Sequence, residues 1–357
     1  MGDSSNLINR KIMKIIVIGG AGFIGSNAAA RYIRRGDEVI VLDDLSRQGT
    51  EINLRWLESV GKFQFFKGDI RDKTFLDNFF FAQAEIEVVL HLAAQVAVTT
   101  SVTDPRSDFE INALGTFNVL ESIRNSGQDP ICIFSSTNKV YGNLDDLDIV
   151  EGEKAYSFRG DIDGVREDQI LDFHSPYGCS KGAADQYVRD YSRMYGLRTV
   201  VLRQSCIYGP RQFGIEDQGW VAWFIIAILL GKQLTIYGNG KQVRDILYID
   251  DLLDSYDQAI KNIDIASGRI YNIGGGQENQ ISLLQFLDLL SEITNKKISP
   301  AAAVTRPGDQ PIYVSDITRA GKELGWKPRT NYNDGIRKIY DWVVANKQTI
   351  EKVITDE

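Results

Sequence analysis

Behind a short apolar run, Lys14–Ile18, the chain reads Gly19-Gly20-Ala21-Gly22-Phe23-Ile24-Gly25 and then turns amphipathic through Arg35. This pattern constrains the fold more than any other in the sequence. Glycines at these intervals supply positive φ for a tight turn, bare backbone for the approach of a ligand, and clearance between strand and helix. The helix that follows points its first N–H groups and its dipole at an anion. A strand–turn–helix around a pyrophosphate is expected, and hence a dinucleotide cofactor.

Further apolar runs follow at Glu38–Leu42, Phe63–Phe66, Glu87–Leu92, Ile131–Ser135 and Thr199–Leu202, separated by amphipathic stretches. Strands nearly continuous in Val, Ile, Leu and Phe suit a parallel sheet covered on both faces. The expected fold class is α/β, a doubly wound Rossmann sheet with a smaller C-terminal α/β substrate-binding domain. Residues 13–205 form the NAD-binding domain, with returning elements near 246–275. Residues 206–245 and 276–357 form the nucleotide-sugar-binding domain. The polar segment before Met13 reads as an extension, and Met13-Lys14 as a natural start. The acidic stretch Asp145–Asp172 is longer than a routine connection and suits either an active-site lid or a solvated loop.

Composition narrows the function classes. A formal net charge of −8 offers no basic face for nucleic acid. Two histidines cannot build a histidine metal cluster, and three cysteines without a C-x-x-C pair suggest neither zinc nor disulfides. No metal and no nucleic-acid partner is expected. The most apolar run, Val221–Leu230, is too short to cross a bilayer, which takes about 20 residues, and reads as a buried helix. The expected setting is cytoplasmic, without a membrane partner, and a homo-oligomer is expected.

Asp43 closes the second strand about 20 residues after the glycines, where a carboxylate accepts hydrogen bonds from ribose hydroxyls and repels a 2′-phosphate. That favours NAD over NADP, with Arg47 nearby as the contrary sign. Gly68-Asp69-Ile70 closes the third strand and Leu92-Ala93-Ala94 the fourth. The cofactor-binding set is therefore Gly19, Gly22, Phe23, Ile24, Gly25, Asp43, Asp69, Ile70, Leu92, Ala93 and Ala94, joined by Tyr177 and Lys181.

Tyr177 and Lys181 stand four apart on a helix opened by Ser175-Pro176, so they share a face. A free phenol titrates near 10, and a neighbouring ammonium should pull it toward neutrality. The lysine can also hold a nicotinamide ribose. Ser135-Ser136-Thr137 ends the fifth strand at the carboxyl edge where ligands bind in such sheets; the hydroxyls could also merely terminate the strand.

Together Gly19–Gly25, Asp43, Asp69, Leu92-Ala93-Ala94, Thr137 and Tyr177-x-x-x-Lys181 resemble the extended short-chain dehydrogenase/reductase family of nucleotide-sugar enzymes, from about Met13 to Trp342. The segments Ser135–Gly142, Asp172–Lys181 and Asp217–Trp220 resemble its CDP-hexose 2-epimerase branch. The resemblance implies catalysis by Thr137, Tyr177 and Lys181, with NAD retained through the cycle. It implies a nucleotide-sugar substrate held by Thr137, Asn138, Arg211, Arg244, Arg306 and Asp309, the last toward the nucleoside ribose. Arg–carboxylate structural pairs are the competing role for these arginines, above all Arg244 with Asp245. The family's dehydratases carry Asp-Glu where this chain has Asn138-Lys139, so elimination lacks its proton-transfer groups. Its galactose epimerases carry Lys and Asn where this chain has Val96 and Cys206. Trp220 and Trp223 read as core or subunit interface.

Overall fold

The computed structural model describes residues 11–306 and 309–355. Most of the segment ahead of Met13 and the Pro307-Gly308 step lie outside the described residues.

Seven parallel strands build the main sheet. Five are β1 (Lys14–Ile18), β2 (Glu38–Asp43), β3 (Gln64–Lys67), β4 (Val88–His91) and β5 (Ile131–Thr137). With the strands Thr199–Gln204 and Arg269–Ile273 the spatial order runs Arg269–Ile273, Thr199–Gln204, β5, β4, β1, β2, β3. The order reverses between β1 and β4, which opens a crevice at their carboxyl ends.

Alternate residues show why the strands read as unbroken apolar runs. Ile15, Val17, Val39, Val41, Val88 and Leu90 pack into one buried cluster. Ile16, Ile18, Ile40, Leu42 and Val89 pack into another on the opposite face. Both faces of the sheet are therefore dry, and a polar residue at either parity would be buried.

The remaining strands form smaller sheets. Val243–Tyr248 pairs with Cys206–Tyr208, Gln280–Ser282 and Ile312–Tyr313. The returning element near 246–259 is thus divided: its strand serves the smaller sheet, whereas its helix, Ile249–Lys261, packs Leu252, Leu253 and Tyr256 with the cluster around β1. Trp220–Leu230 is the expected helix, buried from Val221 to Ala227. No helix among the described residues is long and apolar enough to cross a membrane.

The acidic stretch is pinned rather than loose. A hairpin, Ile149–Glu151 with Tyr156–Phe158, sits in it. Val165 exchanges main-chain hydrogen bonds with Val314 and Asp316, and Tyr156 N–H donates to the Lys241 oxygen.

Candidate active site

The glycine turn is closed by contacts that exclude side chains. Gly19 has φ of +80°, and a Cβ there would lie 2.6 Å from the Ala93 nitrogen. A Cβ on Gly25 would lie 2.0 Å from the Gly19 oxygen, so the helix cannot sit this close to the turn with any other residue. The helix Phe23–Arg35 starts at Gly22 without a side-chain cap, leaving its first N–H groups to face the crevice.

Asp43 Oδ2 accepts from Ala21 N–H at 2.9 Å, and Oδ1 from Leu45 N–H at 2.9 Å. Each oxygen keeps a lone pair for a ribose hydroxyl. Burial raises its pKa, against main-chain hydrogen bonds that lower it. Every cofactor residue expected from Gly19 to Ala94 lines this one cleft. Asp69 does so while paired with Arg71 at 2.5 Å; burial raises its pKa, but the Arg71 contacts prevail and the net shift is downward. The turn, uncapped helix and strand-end carboxylate fit an adenine dinucleotide. Arg47 also lines the cleft; burial lowers its pKa, opposed by Tyr177 and Asp43. Its approach to Tyr177 was not legible from its place in the sequence.

Tyr177 and Lys181 are both buried on the helix Ser175–Tyr195. Lys181 Nζ donates to the Ser135 oxygen at 2.6 Å and lies 4.2 Å from the centre of the Phe134 ring. Burial brings its pKa down to about 7, with Asp185 and Asp108 pulling it back. The Tyr177 phenol meets the Thr137 hydroxyl, yet burial pushes it up to about 12. The expectation of a lysine-lowered phenol is corrected here. The charges that act on the phenol are Asp108 and Arg47, and desolvation outweighs the Thr137 contact.

Thr137 Oγ1 accepts from Lys139 N–H at 3.2 Å and donates to Asn138 Oδ1 at 3.3 Å. Ser136 is committed elsewhere, donating to Asp185 Oδ2 at 2.7 Å. Asp185 also takes both arms of Arg203, at 2.9 and 3.0 Å. The three hydroxyl-bearing residues at the end of β5 thus separate into a lysine acceptor, a structural donor and one hydroxyl facing the phenol.

Beyond Val96 and Gln218, which line both spaces, a second cavity of about 460 Å³ opens. Its wall holds Lys139, Cys206, Trp220, Arg244, Arg306 and Asp309. That size suits a small-molecule ligand. Arg244 pairs with Asp309 at 2.6 Å, not with its neighbour Asp245. Asp245 is buried and accepts from Ser205 Oγ and from the main chain of Gly276 and Ser315. Arg306 pairs with Asp217 at 2.8 Å and lies 3.8 Å over the Tyr237 ring.

Two sequence expectations fail here. Arg211 does not join Arg244 and Arg306. It lies 4.2 Å over Trp56 and 6.0 Å from Trp342, because its left-handed backbone (φ 69°) turns it toward those rings. Trp220 is a wall of the cavity rather than core; its indole N–H points at Cys206 Sγ, 3.5 Å away, and its ring packs edge-on against Phe286. Trp223, by contrast, is buried in the core.

The family model for GDP-mannose 4,6-dehydratase matches residues 16–339. This chain belongs to that extended short-chain dehydrogenase/reductase family. Among its relatives, a CDP-paratose 2-epimerase of Salmonella typhi is 44% identical over 92% of this chain and 99% of its own length. A dTDP-glucose 4,6-dehydratase of Escherichia coli is 36% identical over 96% of this chain and 95% of its own. The crystal structure of a UDP-glucuronic acid 4-epimerase from Bacillus cereus, in complex with UDP-glucuronic acid and NAD, superposes with a TM-score of 0.80 at 30% identity. That match covers 93% of this chain and 99% of the other.

Proposed function

We propose that this protein is an NAD-dependent epimerase that inverts carbon 2 of a CDP-hexose, in the manner of CDP-paratose to CDP-tyvelose. The observation that carries this reading is the corner after β5. Thr137 meets the phenol of Tyr177, and the two residues behind it are Asn138 and Lys139, neither an acid nor a carboxylate base. Elimination of water needs such groups at the sugar; inversion through a ketone does not.

NAD, bound in the glycine cleft, supplies the hydride acceptor that later returns the hydride. The protein's own part is positional and protolytic. Tyr177 takes the proton from the sugar hydroxyl, which Thr137 orients by hydrogen bonding. Lys181, fixed at the Ser135 oxygen, holds the nicotinamide ribose and stabilises the phenolate. The keto-sugar turns in the second cavity, presents its other face and takes its proton back from Tyr177. Arg244 and Arg306 hold the diphosphate, and Asp309 the nucleoside ribose.

The test is product NMR after incubation with CDP-paratose, CDP-glucose and UDP-glucose, with the cofactor released by denaturation. Inversion at carbon 2 of a CDP-sugar, with NAD(H) and no NADP released, is expected. Inversion at carbon 4 of the UDP-sugar, or loss of water, would replace this reading with a 4-epimerase or a 4,6-dehydratase.

The same reading includes self-association. Tyr187, Tyr191 and Tyr195 fall at helical spacing, and Phe117 packs against Tyr187 and Tyr191. With Phe109, half of Tyr187 and Tyr195 remains exposed, an apolar patch suited to a second copy. Sedimentation of the parent against Tyr187→Glu tests it.

A further inference from the structure

We propose that Lys139 is a specificity-determining residue that grips the phosphate next to the sugar, and so presents carbon 2 rather than carbon 4 to Thr137 and Tyr177. The inference rests on the epimerase reading above and adds a cause for its regiochemistry.

Three observations place the residue. Lys139 lies on the short helix Asn138–Tyr141 that Thr137 caps, and its main-chain N–H holds the Thr137 hydroxyl at 3.2 Å. Its side chain lines the second cavity together with Arg244 and Asp309. At the far end of that cavity Arg306 is matched by Asp217. At the near end Lys139 and Arg244 face Asp309, two cations to one carboxylate. The excess positive charge therefore sits at the end of the cavity closest in the chain to the reacting hydroxyl. Burial, and secondarily Arg244, bring the Lys139 pKa down to about 8, so the ammonium still predominates at neutral pH. An incoming phosphate would strengthen that charge by the same Coulombic logic.

Sugar chemistry supplies the rest. Carbon 2 adjoins the anomeric carbon that carries the phosphate, whereas carbon 4 lies across the ring from it. To bring carbon 2 to the phenol, an enzyme must hold a phosphate close beside its catalytic threonine. A compact ammonium two residues after Thr137 does this, and a carboxylate in its place would repel the phosphate.

The experiment compares CDP with CMP, because only CDP carries the phosphate in question. Binding of each to the NAD-loaded enzyme is measured by calorimetry for the parent, Lys139→Gln and Lys139→Arg. CDP affinity should fall about 10- to 100-fold in Lys139→Gln, the scale of one charge-assisted hydrogen bond, while CMP changes less than about twofold. Lys139→Arg should keep most of the CDP affinity. Equal losses for CDP and CMP, or an unchanged CDP affinity, would overturn the assignment. Should Lys139→Gln fail to fold, the parent alone decides: its preference for CDP over CMP must decline as pH rises through about 8, and a constant preference rejects the idea. UDP with UMP, and dTDP with dTMP, are run alongside. If these bind and the cytidine pair does not, the base assignment fails, and the diphosphate contrast still tests Lys139.

Discussion

Lys181 Nζ is tied to the main-chain oxygen of Ser135 at 2.6 Å, two residues before the threonine that faces the phenol. The bond sets the ammonium at the end of β5 but leaves it out of water, and burial lowers its pKa to about 7. An unfolded lysine titrates near 10.4. Between these values the unfolded chain binds the extra proton, so stability should rise with pH, by up to about 1.4 kcal/mol per unit. Below pH 7 both states are protonated, and the cost of the buried charge is present in full. Denaturant titrations of the cofactor-free protein from pH 7 to 9.5 should show that rise, and Lys181→Met should flatten it. Equal slopes in the two proteins would mean that the lysine is charged throughout in the fold.

Tyr177→Phe removes the proton acceptor while keeping the ring in its buried seat. Turnover should fall by about 10²–10⁴-fold, the usual scale of general acid–base help. NAD recovered per protein chain should barely change, since the glycine cleft is built without the phenol. Activity within a few-fold of the parent would remove Tyr177 from the mechanism.

The cofactor cleft was legible because its chemistry is local: glycine spacing, a strand-end Asp43 and small residues after β4 are each set within one strand–turn unit. Lys181 was legible as a partner of Tyr177 through helical spacing alone. What spacing could not give was which neighbours set the phenol's environment. Asp108 and Arg47 reach Tyr177 from other elements, and the burial that dominates its pKa is a property of the closed structure. The arginines failed for the same reason. Arg244 passes over adjacent Asp245 to pair with Asp309, because Asp245 is consumed by Ser205, Gly276 and Ser315. Arg211 carries the right chemistry, but a left-handed backbone turns it to Trp56.

The buried Arg203–Asp185 pair should be costly to break from one side. Both carboxylate oxygens accept from the guanidinium, and Ser136 adds a third bond. Arg203→Met strands a carboxylate that water cannot reach, at a cost of about 3–5 kcal/mol. Arg203→Met with Asp185→Leu removes both charges and should recover much of that loss. Urea midpoints of the two variants measure it, and a double variant no more stable than the single would show that the pair supplies net stability rather than fixing geometry.

The path of the hydrogen separates inversion by hydride transfer from routes that pass through a carbanion. In the proposed cycle the hydrogen on carbon 2 leaves as hydride and returns as hydride, and the proton handled by Tyr177 belongs to oxygen. Neither step exchanges a carbon-bound hydrogen with water. An enolising route instead deprotonates carbon, and a dehydratase needs a base at the sugar ring. The corner after β5 provides Asn138 and Lys139, with Asn138 Oδ1 already accepting from Thr137. A reaction run in D₂O should therefore yield inverted sugar with no deuterium on carbon. Mass spectrometry that found one deuterium at carbon 2, or a product lighter by one water, would sink the hydride mechanism and leave the cofactor cleft as described.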